Sequence, residues 1–243
     1  MILTLTMVLF GVFAAAVLRG FTGFGFGLAA VPLLSLALPP AEVVPFVVVL
    51  QVVIGVASIR QAWRDCDWHS VGVLAPGLLF GIPLGTTILT MFPPNPIRLA
   101  IGLIIAASVA LLSCGFRLPP NPSRLVGLSV GTLSGTISGL SMMGGPPIVV
   151  YLIAVGRSAA RVRATSIMYF MLSGIAASIS MTWKGLIHQE VLVWAALSVP
   201  VLFGGSWLGT WGFHRAKPHH HRNTALIVLS ILSAVLILRS LLS

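Results

Sequence analysis

Long apolar stretches without charge alternate with short polar segments along almost the whole chain. Charges, prolines and polar turns separate most of these stretches, which are residues 1–18, 20–41, 43–59, 71–96, 99–116, 125–156, 164–183, 191–213 and 223–238. A helix needs about 20 apolar residues to cross a bilayer, so the pattern predicts membrane helices joined by short loops. Residues 1–41, interrupted only by Arg19, and residues 125–156 are too long for one ordinary span. Both have a glycine-rich centre.

The composition supports one membrane domain and leaves no room for a soluble one. Of 243 residues, 57% are apolar and only 7% are charged, whereas a soluble domain carries about 25% charged residues. The net charge of +10 suits basic cytoplasmic loops better than a nucleic-acid surface, because the basic residues are scattered between the apolar stretches. The first basic residue is Arg19, so we predict that the N-terminal stretch is a retained membrane helix and not a cleaved signal peptide.

The two glycine-rich centres resemble each other. Residues 19–27 read Arg-Gly-Phe-Thr-Gly-Phe-Gly-Phe-Gly, and residues 138–147 read Ser-Gly-Leu-Ser-Met-Met-Gly-Gly-Pro-Pro. A shift of 119 residues aligns three positions of the first centre with the second: Gly20 with Gly139, Thr22 with Ser141 and Gly25 with Gly144. A shift of 124 residues aligns residues 76–86 with residues 200–210. We therefore predict two repeats, residues 1–120 and 121–243.

The basic residues discriminate between two topologies. If both long stretches crossed the membrane once, six basic residues would lie on one side and seven on the other. If residues 3–38 and 124–156 are hairpins that enter and leave by the same face, the count becomes ten against three, as the positive-inside rule requires. Each repeat is then a broken-helix hairpin plus three transmembrane helices. Because three crossings are an odd number, the second repeat starts from the opposite face of the membrane and is inverted relative to the first. We therefore predict an all-α polytopic membrane protein of two inverted-topology repeats with both termini outside.

The hairpin tips are the predicted substrate site. Irregular backbone at membrane depth is tolerated only inside protein or beside a water-filled cavity, and a helix that restarts there presents free N–H groups and a positive dipole end. The restarts are predicted near residues 25–28 and 145–148, where two helix N-termini would form a cradle for an anion. The alternative is that the glycines only let helices pack closely.

Twelve residues at these tips are the predicted substrate-binding residues: Arg19, Gly20, Thr22, Gly23, Gly25, Gly27, Ser138, Gly139, Ser141, Gly144, Gly145 and Pro146. Arg19 is a charge deep in an apolar run, which indicates function, although it could instead reach an interface or bond to helix carbonyls. The tip hydroxyls could likewise bond to their own helix backbone. Four residues of the crossing helices form a second group of candidates: Gln51, Thr86, Tyr169 and Trp207.

Several absences narrow the function. All four carboxylates, Glu42, Asp65, Asp67 and Glu190, lie in or beside predicted loops, which disfavours a cation-coupled carrier. No histidine is placed to activate a tip serine, so we expect no enzyme activity. We predict no cofactor and no metal, and we assign His219–His221 to a solvated cytoplasmic loop. The expected partners are a small anion and the lipid bilayer, and no nucleic acid. A homodimer is compatible with the sequence.

At the glycine-rich segments the chain resembles the TauE/SafE family of sulfite and organosulfonate exporters. The resemblance is carried by residues 19–32, by residues 139–147 and by the duplication. It implies a multi-pass carrier of the bacterial inner membrane that exports sulfite, sulfoacetate or another organosulfonate. Alternating access around the hairpin tips is the expected mechanism. The alternatives are an anion channel of the same architecture, a carrier of other small organic anions, and a membrane scaffold without transport.

Overall fold

The structure, a computed structural model, describes residues 2–22, 25–113, 118, 122–215, 230–231, 233–235 and 237–238. All regular structure in these residues is helical. The helices are α1 (Ile2–Thr22), α2 (Phe26–Ser35), α3 (Pro40–Ala62), α4 (Trp68–Met91), α5 (Pro94–Ser113), α6 (Arg124–Ser141), α7 (Gly145–Ala154), α8 (Ala159–Trp183) and α9 (Gln189–Arg215). The residues described between 230 and 238 are also helical.

Five of these helices, α3, α4, α5, α8 and α9, are long and apolar enough to cross a membrane. The described part of the chain is therefore all-helical, as in a multi-pass membrane protein. The sixth predicted crossing, residues 223–238, lies mostly outside the described residues. Helices α2 and α7 have ten residues each and are about 15 Å long at 1.5 Å per residue, which is half of the hydrocarbon thickness.

The two long apolar stretches are broken helices that fold back on themselves. Gly11, halfway along α1, faces Leu34 at the end of α2, so these helices are antiparallel. Gly127 at the start of α6 faces Tyr151 near the end of α7, so the second pair is antiparallel as well. Helix α2 begins at Phe26 and α7 at Gly145, within the predicted restarts.

Glycines allow each hairpin to pack tightly against a crossing helix from the other half of the chain. Helix α6 lies along α4, and α1 lies along α9. A Cβ atom at Gly139 of α6 would collide with the Ile82 carbonyl of α4, and one at Gly20 of α1 would collide with the Ser206 carbonyl of α9. Small residues are the usual means of close helix approach in lipid, where apolar side chains gain little from leaving the solvent.

Helices α3 and α8 cross at the centre of the protein. A Cβ atom at Gly55 would lie 3.0 Å from Met171 Cβ, and one at Gly174 would lie 3.1 Å from Val52 Cγ2. The later residue of α3 thus meets the earlier residue of α8, so the two helices are antiparallel. Because neither glycine has a side chain, the axes of α3 and α8 can approach closely at these two positions.

An ion pair fixes which loops share a face of the protein. Arg157 Nε lies 2.6 Å from Asp67 Oδ2, joining the α7–α8 loop to the α3–α4 loop. Partial burial alone would raise the pKa of the Asp67 carboxyl, but hydrogen bonds from Ser70 and Arg157, with the arginine charge, hold it below its usual value. The single-crossing alternative would place these loops on opposite faces, so the ion pair contradicts it.

A second arginine joins elements on the opposite face of the protein. Arg98, in the first turns of α5, donates from Nε to the Ser35 carbonyl at 3.0 Å, bringing the end of α2 to the start of α5. Glu42 at the start of α3 lines one cavity together with His188 and Glu190 before and within α9. Val8 near the start of α1 lines the same cavity as Leu34 of α2, and Arg124 at the start of α6 lies with Trp68 on the face of the Arg157–Asp67 pair. Each hairpin therefore begins and ends on one face of the bundle, as the hairpin arrangement predicts.

Candidate functional site

The two hairpin tips meet in the interior of the protein. A Cβ atom at Gly27 would collide with the Met142 carbonyl, and one at Gly145 would lie 3.9 Å from Leu28 Cδ1. Gln51, near the middle of α3, lines the same small cavity, which places the tips about halfway across the helix bundle. The sequence predicted this meeting from the duplication and the inverted topology.

We call the space between the tips the tip cavity, and it is lined by Gly25, Phe26, Gly27, Leu28, Gln51, Met142, Gly145 and Phe170. The space in which the centre of a water molecule can lie is about 10 Å³, which is roughly enough for one water molecule. A sulfur oxyanion with three oxygens needs more space than that. The conformation described here therefore has the tips closed against each other.

The backbone at both tips adopts left-handed conformations. Gly25 caps α2 with φ of 89°, which glycine adopts without a steric penalty, and Met142 ends α6 with φ of 54°. A non-glycine residue in this region costs energy and is found where the surroundings require it, often at functional sites. Pro146 lies in the first turn of α7, where its missing N–H leaves no bond unmade.

Polar groups are concentrated behind the second tip. Ser134 Oγ on α6 donates to the Gly144 carbonyl at 2.6 Å, which fixes the residue before α7. Tyr169 on α8 is fully buried, and its hydroxyl lies near Ser134 but outside hydrogen-bonding geometry. Tyr169 belongs to the second group of residues predicted from the sequence, whereas Ser134 was not among the predicted site residues. Only the fold brings them to the tip.

Close packing accounts for three of the predicted glycines. The positions beside Gly20 and Gly139 are filled by backbone of α9 and α4, and a Cβ atom at Gly144 would collide with the Ser134 carbonyl. Protein atoms therefore occupy the space directly beside these three glycines, as the packing alternative raised from the sequence predicts. Gly27 packs as closely against the Met142 carbonyl, although Gly25, Gly27 and Gly145 also line the tip cavity.

The hydroxyls predicted as ligands lie in different surroundings. Ser141 Oγ donates to the Ile137 carbonyl one turn earlier at 2.9 Å, which is the backbone-bonded alternative. Ser138 is buried beside Gly144. Gly23 lies outside the described residues, and only the backbone of Thr22 is described.

Arg19 lines a different cavity, on the side of the bundle where α3 ends and α8 begins. We call it the arginine cavity, because Arg19 and Arg163 both line it, and its volume is about 330 Å³. Gly20 and the exposed Trp207 line it too. Arg163 was counted only as a loop charge in the sequence, since nothing local shows that the start of α8 faces α1.

Thr86 joins two helices on the opposite side of the bundle. Its side-chain oxygen lies 2.8 Å from Ser180 Oγ and also donates to the Pro83 carbonyl. Thr86 is fully buried near the end of α4, and Ser180 lies near the end of α8. This contact fastens α4 to α8 on the face away from the arginine cavity.

Metal chemistry has no support in the described part of the chain. Within those residues, no group of three or more histidine, cysteine, aspartate or glutamate side chains could hold a metal ion. His219–His221 lie outside the described residues. The chemistry of the two cavities is instead that of backbone N–H groups, hydroxyls and guanidinium groups, all of which bind oxyanions.

These features define a multi-pass helical membrane protein whose two broken helices meet inside the bundle. The family model described as "Sulfite exporter TauE/SafE" matches residues 7–236, and the chain belongs to this family of membrane transporters. It is 26% identical over 224 residues to the "Probable sulfite/organosulfonate exporter TauE" of Cupriavidus necator, covering 89% of this chain and 87% of that protein. No solved structure matches the chain.

Proposed function

We propose that the protein exports small sulfur-containing anions, such as sulfite, sulfoacetate or another organosulfonate, across the bacterial inner membrane. The substrate is held between the two hairpin tips, and the protein works by alternating access. The observation that carries the proposal is the meeting of the N-terminal ends of α2 and α7 at the tip cavity. Two positive helix ends facing one space favour an anion there, and the name of the relative specifies sulfite or organosulfonate.

Matching glycine contacts support the proposed repeats. Under the shifts of 119 and 124 found in the sequence, the contact of Gly139 with Ile82 corresponds to that of Gly20 with Ser206. Likewise, a Cβ atom at Gly81 would collide with the Thr132 carbonyl, and one at Gly205 would lie 2.8 Å from the Phe13 carbonyl. Contacts between the halves thus occur in equivalent pairs, as expected for two repeats related by a pseudo-twofold axis.

The direction of α3 and α8 supports inversion. Gly55 and Gly174 are equivalent under the shift of 119, as are Val52 and Met171, and each glycine faces the other repeat's residue. Two equivalent helices that run antiparallel are related by an axis perpendicular to them. For helices that cross the membrane, this axis lies in the membrane plane and the repeats are inverted.

A difference between equivalent contacts supports alternating access. The hydrogen-bonded pair Thr86 and Ser180 corresponds, under the same shifts, to Thr210 and Gln61. The latter two line the arginine cavity and are exposed. One side of the bundle is therefore closed where the equivalent side is open. If the pair Thr210 and Gln61 came into contact and the pair Thr86 and Ser180 separated, the open side would close and the closed side would open.

The orientation follows from charge. The face that carries the Arg157–Asp67 pair also carries Arg60, Arg64 and Arg161, so we place it in the cytoplasm and the arginine cavity with it. The inside-negative potential then drives export at about 2.3 kcal/mol per charge for each 100 mV. A dianion gains twice that free energy, so net export needs no coupling ion.

A labelling experiment tests this orientation. In a chain with Cys66 and Cys114 replaced by serine, a membrane-impermeant maleimide added to intact cells should label Lys184→Cys. It should label Arg161→Cys only after permeabilisation, because both side chains are exposed but lie on opposite faces. Labelling of Arg161→Cys in intact cells, with Lys184→Cys protected, would reverse the orientation.

Reconstituted protein tests the function itself. In liposomes loaded with sulfite or sulfoacetate, we expect efflux that saturates with substrate, accelerates with an inside-negative potential and shows exchange when substrate is present on both sides. Single-channel currents in a planar bilayer would favour the anion channel. Absence of flux for both anions, with flux of a carboxylate such as acetate, would favour a carrier of other organic anions.

A further inference from the structure

The arginine cavity has the composition of an anion site. Its walls come from α1, α3, α8 and α9, and its polar lining consists of Arg19, Ser58, Gln61, Arg163, Ser206 and Thr210. Ser206 Oγ is buried and has no hydrogen-bond partner among the described residues. Ser58 and Thr210 bond to carbonyls of their own helices. The donors available to a ligand are therefore two guanidinium groups and the Gln61 amide.

The charge of the cavity is unbalanced. None of the four carboxylates of the chain is among its lining residues. Asp67 pairs with Arg157, Asp65 is exposed in the loop after α3, and Glu42 and Glu190 line a cavity on the opposite face. Two cations that share a cavity without a carboxylate repel each other, and Arg19 is only partly exposed to solvent. An anion between them would remove the repulsion and satisfy their N–H groups.

The remaining walls are apolar. Ile54, Ala57, Ile167, Phe203 and Trp207 line the same space. At about 330 Å³, the cavity has room for a charged group together with a short carbon chain. A ligand that uses both parts has a sulfonate at one end and hydrocarbon at the other.

The arginine cavity lies next to the tip cavity. Ile54 and Ser58 line the first, and Gln51, one helical turn before Ile54, lines the second. Likewise, Gly20 of α1 lines the arginine cavity, and Gly25 follows beyond the end of that helix at the tips. An anion moving along α3 from its C-terminal end would meet the two arginines before it reached the tips.

We infer that the arginine cavity is a second, entry-side binding site for a small organosulfonate, with the sulfonate between Arg19 and Arg163 and the carbon chain against the apolar wall. The inference rests on the proposed function, because it takes the substrate class from it. It adds a site separate from the tips, assigns Arg163 as a ligand, and makes the protein prefer an organosulfonate to sulfite.

Binding to the purified full-length protein tests the site without transport. Isothermal titration with ethanesulfonate, methanesulfonate and sulfite should give affinities in that descending order, with up to about fourfold per added methylene. Arg163→Gln should weaken ethanesulfonate binding about tenfold to a hundredfold, the usual effect of losing a charged hydrogen bond. Arg161→Gln is the matched control, since Arg161 is exposed on the same helix but does not line the cavity, and it should bind like wild type.

Two further variants separate contact from stability. Arg163→Lys keeps the charge but loses the fork of donors, so an intermediate affinity supports direct contact with the sulfonate. Arg19→Gln should weaken binding as Arg163→Gln does, with ligand-free melting recorded for every variant. Wild-type affinity in a stable Arg163→Gln protein would overturn the inference, as would the absence of ethanesulfonate binding to wild type.

Transport measurements distinguish this failure from failure of the proposed function. Arg163→Gln should require a higher substrate concentration for half-maximal export while keeping the maximal rate, because Arg163 touches the anion only before the tips. If wild type exports sulfonate and Arg163→Gln binds it with unchanged affinity, the second site is contradicted and the proposed export function stands. If binding depends on Arg163 but wild type transports no sulfonate, the second site stands and the proposed export function is contradicted.

Discussion

Oxidation of the double variant Thr86→Cys/Ser180→Cys should abolish export, and a reductant should restore it. The two side-chain oxygens are 2.8 Å apart, so sulfurs at these positions lie within reach of a disulfide bond. A covalent bond there would hold α4 against α8 and keep the outer side closed. Sulfite efflux from proteoliposomes, in a background with Cys66 and Cys114 replaced by serine, should fall to the level of empty liposomes.

The equivalent pair provides the control. Thr210 and Gln61 line an open cavity in this structure, so Gln61→Cys/Thr210→Cys should form a disulfide only when the substrate site opens to the outside. The yield of this disulfide should rise when substrate is added outside. It should fall when the disulfide between Thr86→Cys and Ser180→Cys is formed first. Full export by the oxidised Thr86→Cys/Ser180→Cys protein would contradict alternating access at this contact.

Gly144→Ala should clearly destabilise the folded protein, whereas Gly145→Ala should yield a protein of nearly wild-type stability that binds its substrate weakly. A Cβ atom at Gly144 would collide with the Ser134 carbonyl, which is helix backbone and cannot turn away. Overpacking of this kind costs about 1–3 kcal/mol or more. A Cβ atom at Gly145 would lie 3.1 Å from the end of the Phe170 ring, a side chain that can move, but it would narrow the tip cavity.

Detergent extraction, size-exclusion chromatography and melting with and without sulfite measure both effects. Gly144→Ala should melt at a clearly lower temperature than wild type in the absence of sulfite, and Gly145→Ala should elute and melt as wild type but lose most of its stabilisation by sulfite. A monodisperse Gly144→Ala protein with wild-type melting would show that the second tip is looser than the structure indicates. Unchanged sulfite stabilisation in Gly145→Ala would place the substrate elsewhere.

The sequence predicted the helix breaks because their signals are local. Glycine clusters and adjacent prolines end and begin helices by their own backbone properties, so α2 and α7 begin within the predicted restarts. The hairpin arrangement came from loop charges, and the Arg157–Asp67 pair agrees with it. These predictions needed no knowledge of which helix packs against which.

The site could be predicted only in part, because contacts between distant helices determine it. The same glycine-rich segments contain Gly25 and Gly145, which line the tip cavity, and Gly20 and Gly139, which pack against α9 and α4. Nothing local distinguishes these glycines. Arg163 was missed for a related reason, since its role depends on α1 lying beside the start of α8.

The pairing of α1 with α9 has a consequence for the order of synthesis. Gly20 of α1 packs on Ser206 of α9, and about three quarters of the chain lies between them. At 5–20 residues per second, the ribosome needs about ten to forty seconds to make the intervening chain. During that interval α1 lies in the bilayer with its glycine face uncovered. The first hairpin therefore reaches its final place only when the other half arrives, and an interrupted chain leaves α1 without its partner.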